Sequence, residues 1–188
     1  MDKTAQLEQV ILELTANRVT AELAKTANQV VPGAGNSNAT VMFIGEAPGA
    51  TEDKVGTPFM GAAGKFLDHM LETIGLKRSD VYITNIVKYR PPKNRDPSPK
   101  EISESLTYLD RELRIINPKL IVFLGRHSMN AFYPDLKIGD VHGREIRDGD
   151  RIYLPLYHPA AALYNPGIRN TLLEDFKKVS AIINENNK

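Results

Sequence analysis

Apolar positions along this chain change their period several times, and each change marks an element. Leu7, Val10, Ile11 and Leu14 recur at the i, i+3, i+4, i+7 spacing of an amphipathic helix. This predicts an N-terminal helix over about 4–27 that runs toward Leu23 and stops before Pro32-Gly33-Ala34-Gly35-Asn36. Val41-Met42-Phe43-Ile44 is a short apolar run halted by Gly45, the mark of a buried strand. Val81-Tyr82-Ile83 and Leu120-Ile121-Val122-Phe123-Leu124 are also continuous rather than alternating, as parallel strands covered on both faces are. Between these two, Ser98-Pro99-Lys100-Glu101 is a helix start: Ser98 caps, Pro99 suits the first helical position and Glu101 completes a capping box. Ile102, Leu106, Leu109, Leu113 and Ile116 then step along one face until Asn117-Pro118. Asp148-Gly149 predicts the turn of a hairpin over 145–154. Leu172, Leu173, Phe176, Val179 and Ile183 define a final core-facing helix.

Strands alternating with helices predict an α/β fold, a three-layer α/β/α sandwich on a central, mostly parallel four-stranded sheet. The 188 residues suit a single domain over 1–188, and no internal repeat divides them. With no cysteine in the chain, disulfides, iron–sulfur clusters and thiolate zinc sites are excluded. No apolar run reaches the length of a membrane span and no signal peptide is read at the N-terminus, so the expectation is a soluble, cytoplasmic protein.

In such sheets ligands bind beyond the carboxyl ends of the strands, and three segments of unusual composition lie there. The first, over 45–64, is rich in glycine, which lets backbone approach a ligand, yet carries Glu46, Glu52 and Asp53. Those acids argue against a phosphate cradle and suit water activation or a developing cation; a solvated turn with helix-capping acids is the alternative. The second, over 84–95, holds Asn85, whose amide offers a donor and an acceptor side by side. Residues 77–100 contain seven Lys/Arg against two Asp, a local excess of five in a chain of net charge +1. That suits a phosphate backbone, or else a charged surface loop. The third, over 154–166, contains His158 between an apolar strand and a proline. His69 lies mid-helix, His127 at a helix start in a surface or capping role, and His142 in an irregular loop, which leaves His158 as the candidate for chemistry or for packing. No histidine pair has zinc-ligand spacing, so no metal site is expected.

Taken together, GEAPGATEDKVGTPFMGAAG, TNIVKYRPPKNRDPSPKEI and YHPAAALYNPGIRNTLLEDFKKV resemble the uracil-DNA glycosylase superfamily, most closely its bacterial and archaeal family four, over about residues 20–180. The resemblance implies a monofunctional hydrolase of base excision repair that flips uracil out of DNA and leaves an abasic site. It implies that Phe59 stacks on uracil, Asn85 pairs with its polar edge, and His158 donates to O2 as the base leaves. Amides near Ala47 would act as an oxyanion hole does. Glu52 would orient the attacking water and Glu46 would line the base pocket, with the division of labour between the two acids left open. Gly61, Gly64 and Tyr164 would grip DNA around the flipped nucleotide, and Lys88, Arg90, Lys93 and Arg95 would contact phosphates. The implied partner is uracil-containing DNA, bound by a monomer.

One departure is large. The family normally holds a four-iron cluster through four cysteines, and here the matching positions are Arg18, Ala21, Tyr89 and Ser105. The expectation is therefore no cofactor, with Tyr89 filling most of the vacated space and Arg18 reaching a nearby polar group. Two competing readings are a DNA- or uracil-binding paralogue with weak or no catalysis, and a member with another base preference, such as hypoxanthine or mismatched uracil only.

Overall fold

The structure, a computed structural model, describes residues 1–16 and 21–186. In chain order the elements are α1 (Lys3–Ala16), α2 (Ala21–Ala24), β1 (Ala34–Gly35), β2 (Val41–Gly45), α3 (Ala50–Val55), α4 (Ala62–Thr73), β3 (Tyr82–Asn85), α5 (Pro99–Ile116) and β4 (Leu120–Leu124). They continue with α6 (Arg126–Asn130), α7 (Ile138–Val141), β5 (Ile146–Asp148), β6 (Arg151–Leu156), α8 (Pro159–Tyr164) and α9 (Pro166–Asn186). Among the described residues no helix is long and apolar enough to cross a membrane.

The strands form one sheet in the order β1-β3-β2-β4-β6-β5, with the four central strands parallel and both edges antiparallel. Six strands replace the four expected. The additions are β1, two residues with no apolar pattern to announce them, and β5, the outer arm of the predicted hairpin, which closes the other edge.

Side chains alternate across the pleat, so each strand feeds two cores. Val41, Phe43, Val122 and Leu154 face α4 and α9, where Leu67, Met70, Leu172 and Phe176 cover them. Met42, Ile44, Ile121 and Phe123 face the other way, onto Val10 and Leu14 of α1 and Leu109 and Leu113 of α5. Burying one such aliphatic side chain is worth about 1.5–3 kcal/mol, and both faces are filled. This is the three-layer α/β/α sandwich.

Local signals hold closely where they are strong. Ser98 Oγ accepts from the Glu101 N–H at 3.3 Å, and Glu101 accepts from the Ser98 N–H at 2.7 Å, completing the capping box of α5. Asn117 ends that helix in the left-handed conformation. The N-terminal helix is shorter than expected, because α2 stops at Ala24. Asn28 is instead drawn to Asp53, which accepts from its backbone N–H at 2.9 Å and from its side-chain amide at 2.6 Å. Arg18 and Val19 lie outside the described residues.

Register brings four strand ends to one edge: Gly45 pairs with Asn85, Ile44 with Phe123 and Leu124 with Leu156. The three segments singled out from composition emerge there.

Candidate active site

The carboxyl ends of β2 and β3, the loop after β6 and the chain over 91–96 enclose a cavity of about 350 Å³. Its walls include Glu46, Ala47, Glu52, Phe59, Asn85 and His158, with Asn94, Arg95 and Asp96 at one side. Asn85 reaches it as the last residue of β3 and is almost fully buried. The Phe59 and His158 rings both line it as neighbours, 5.8 Å between centroids and tilted by 31°.

Phe59 sits with φ of 55°, a left-handed conformation that a bulky residue adopts only when its surroundings impose it. Arg78 supplies one constraint: its guanidinium donates to the carbonyl oxygens of Pro58 (3.0 Å) and Phe59 while pairing with Asp68 on α4. Glu52 supplies the other. Its Oε1 accepts from the Met60 and Gly61 N–H groups at 2.8 and 2.7 Å, and its Oε2 from the Gly49 N–H at 3.1 Å. Gly64 completes the packing, since a Cβ there would lie 1.7 Å from the Phe59 carbonyl oxygen.

His158 caps α8, and its Nδ1 accepts from the Ala160 N–H at 3.1 Å. The neutral imidazole then carries its proton on Nε2. Burial first, and the neighbouring His127 second, push the His158 pKa down to about 4, against a smaller opposing effect of Glu52. The ring is therefore neutral at neutral pH. Glu46 moves the other way, up to about 7, mainly because burial disfavours its charge and then because Asp96 is near, while Arg126 opposes.

Several expectations need correction. Lys88 does not face DNA: its side chain is 0% exposed and ion-paired with Glu112 at 2.7 Å. An ammonium on this apolar strand end is stable only beside a carboxylate, and Glu112 of α5 provides one. Gly64 is buried against the Phe59 backbone, and the Gly61 N–H donates to Glu52. Arg95 pairs with Glu101 at 2.7 Å, and Arg90 donates to Asn94 Oδ1 at 2.7 Å and lies 3.9 Å from the Asp53 carboxylate, so two charges of the basic stretch meet acids within the protein. Lys93 is exposed, and Tyr164 is 89% exposed at the end of α8.

His127, near the start of α6 and partly exposed, joins a polar cluster. It lies half-buried, with Nε2 3.3 Å from Asp96 and 3.8 Å from Glu46. Glu46, Asp96 and His127 place one potential metal ligand each within 4.8 Å of one another. Arg126 already donates to His127 Nε2 at 3.1 Å and approaches Asp96 at 3.8 Å, so the positive charge a cation would bring is present. His142 pairs with Asp175 at 2.6 Å. The sequence reading missed Arg78 because it sits in the basic stretch like any surface charge; no local pattern foretells that it folds back onto the 58–59 turn.

The iron cluster implied by the resemblance does not fit. Ser105 Oγ donates to the Glu101 carbonyl at 2.8 Å, and Tyr89, 7% exposed, packs into the core with Leu23 and Tyr108. Ala21 offers a methyl group, and no cysteine exists anywhere in the chain to supply a thiolate.

An open-ended α/β sheet whose strand ends hold an aromatic face, a side-chain amide and a neutral histidine around one cavity is built to bind and act on a flat polar ring. Residues 32–180 match the family model for the uracil DNA glycosylase superfamily, and the chain belongs to that superfamily. It is 51% identical over 159 residues to a type-4 uracil-DNA glycosylase of Sulfurisphaera tokodaii, covering 79% of this chain and 72% of the relative. It is 47% identical to the type-4 enzyme of Saccharolobus solfataricus (89% and 84% covered) and 45% identical to that of Archaeoglobus fulgidus (94% and 92%).

Proposed function

We propose that this protein is a monofunctional uracil-DNA glycosylase, which flips uracil from DNA and hydrolyses its N-glycosidic bond. The convergence of Phe59, Asn85 and His158 on one cavity carries this reading. The flipped ring stacks on Phe59, and the Asn85 amide hydrogen-bonds to its polar edge. As the bond between N1 and C1′ breaks, its electron pair leaves with the base, and the negative charge spreads onto O2. His158 Nε2–H donates to O2. A neutral imidazole does this without transferring its proton, and the amides near Ala47 add to it.

Water then attacks the cationic C1′ and gives up a proton. Glu46 is the better base for this step. Its pKa near 7 lies close to the operating pH, where general bases work best, and it lines the same cavity. Glu52 serves as the brace that holds the 49–61 loops, with both carboxylate oxygens engaged by backbone N–H groups. No lysine lines the cavity among the described residues, which supports hydrolysis without a Schiff base. Lys93, exposed on the 91–96 loop, contacts the phosphates, and the exposed Tyr164 ring enters the duplex beside the flipped nucleotide. The protein acts as a single-domain monomer in the cytoplasm.

The test is base release from single- and double-stranded oligonucleotides carrying uracil, hypoxanthine or thymine, with borohydride present in a parallel reaction. Release of uracil without a trapped covalent adduct is expected. Binding without release would identify a non-catalytic paralogue, preferential loss of hypoxanthine a different specificity, and a borohydride-trapped adduct a lyase.

A further inference from the structure

We propose that Lys88 is a positioning residue for base recognition, which clamps the main chain at Asn85 and thereby aims the amide that reads the base. This inference rests on the functional reading above. Beyond Asn85 the chain still follows β2, because the Ile86 and Val87 N–H groups donate to the carbonyls of Gly45 and Glu46, each at 3.0 Å. The Lys88 side chain then doubles back along the strand end. Its Nζ donates to the Asn85 carbonyl at 2.7 Å, to Thr84 Oγ1, and to Glu112 Oε2 at 2.7 Å. All three ammonium hydrogens are engaged, and Lys88 lies outside the cavity lining.

The geometry is not one that serves the ion pair alone. Glu112 Oε2 receives both Lys88 and the Thr84 hydroxyl (3.1 Å), while Glu112 Oε1 is buried without a hydrogen-bond partner. The ammonium rests where it reaches the carboxylate and the Asn85 carbonyl together. A buried ion pair is weak support for stability, since apolar residues of similar volume often do as well. Its use here is directional. The Asn85 peptide can rotate only by giving up a charge-assisted hydrogen bond, and such bonds are about twice as strong as neutral ones. Burial lowers the Lys88 pKa, and Glu112 opposes that shift.

The experiment compares wild type with the K88M/E112L double variant, which removes both charges and keeps the volume, and with K88M/E112Q, which removes both charges and keeps a polar partner for Thr84. Three quantities are read: single-turnover uracil release, inhibition by free uracil, and binding to DNA containing an abasic site. The double variant is expected to fold and to bind abasic DNA as wild type does, yet to release uracil about ten- to a hundredfold more slowly with weaker inhibition by uracil. Adding Asn85→Ala to the double variant is expected to slow it less than the same change slows wild type, because the two act in series. Glu112→Gln, which keeps an acceptor for Lys88, is expected to retain most of the rate. Wild-type release and uracil inhibition in a folded double variant would overturn the proposal. If that variant does not fold, wild-type release and uracil inhibition in folded K88M/E112Q would overturn it instead. Absence of uracil release from the wild type itself would overturn the functional reading on which the proposal rests.

Discussion

Gly45 is the residue at which the assembly of the pocket is most exposed to a single methyl group. It ends β2 opposite Asn85, and its backbone lies outside the left-handed region, so alanine fits the main chain without strain. The space beside its Cα is another matter. A Cβ there would lie 2.4 Å from Asn85 Oδ1 and 2.6 Å from Phe59 Cζ, whereas ordinary contact begins at 3.4 Å. Both base-contacting groups must therefore retreat by nearly 1 Å, the difference between those distances. A displacement of about 1 Å in a positioned group can lower a rate by about 10²-fold, or about 2.7 kcal/mol in the barrier. Two groups move together here, so Gly45→Ala is expected to reduce single-turnover uracil release by at least about 10²-fold. Overpacking also destabilises by about 1–3 kcal/mol, so the melting temperature is expected to fall while the protein stays folded. Affinity for abasic-site DNA is expected to persist, because no phosphate-facing residue moves. A folded Gly45→Ala protein that releases uracil at the wild-type rate would refute the placement of Asn85 and Phe59 over this residue as the base-reading pair.

Three further outcomes are expected. Uracil release is expected to rise with pH through about 7 as Glu46 loses its proton. Glu46→Gln is expected to flatten that limb and slow release by about 10²–10⁴-fold, and His158, neutral above about 4, adds no limb there; an unchanged profile in Glu46→Gln would exclude Glu46 as the base. Tyr89→Ala is expected to remove about 3 kcal/mol of core packing and lower the melting temperature by roughly 6–12 °C while uracil release at low temperature persists; a variant that melts like wild type would show that Tyr89 does not replace the cluster. DNA affinity is expected to fall linearly with salt on logarithmic axes, with Lys93→Ala reducing the slope by about 1 and Lys88→Met leaving it unchanged; the reverse pattern, from salt titrations of both variants, would return Lys88 to the DNA-facing surface.

Periodicity and capping chemistry alone made most of the framework legible. The runs at 41–44, 81–83 and 120–124 became central strands, and Ser98 and Asn117 bounded α5, because burying apolar surface and capping a helix are decided within a few residues. The edge strand β1 was not legible, because Ala34 and Gly35 join the sheet through main-chain pairing with Tyr82 and Ile83. Asn85, Phe59 and His158 stood out by chemistry and by their places at strand ends, and register then brought them around one cavity.

The fate of the charges lay beyond any local pattern. Lys88, Arg78 and Arg95 read alike along the chain, as members of one basic stretch. In the fold Lys88 meets Glu112 in the core, Arg78 holds the Phe59 turn, and Arg95 pairs with Glu101. Glu46, just past β2, and Glu52, in the first turn of α3, sit six residues apart, yet one keeps a raised pKa at the cavity and the other is bound by three backbone N–H groups. Apolar burial follows from the spacing of a residue's own neighbours in the chain. A charge takes its role from the partner that folding brings within hydrogen-bond reach, and for Lys88 that partner, Glu112 on α5, lies 24 residues away.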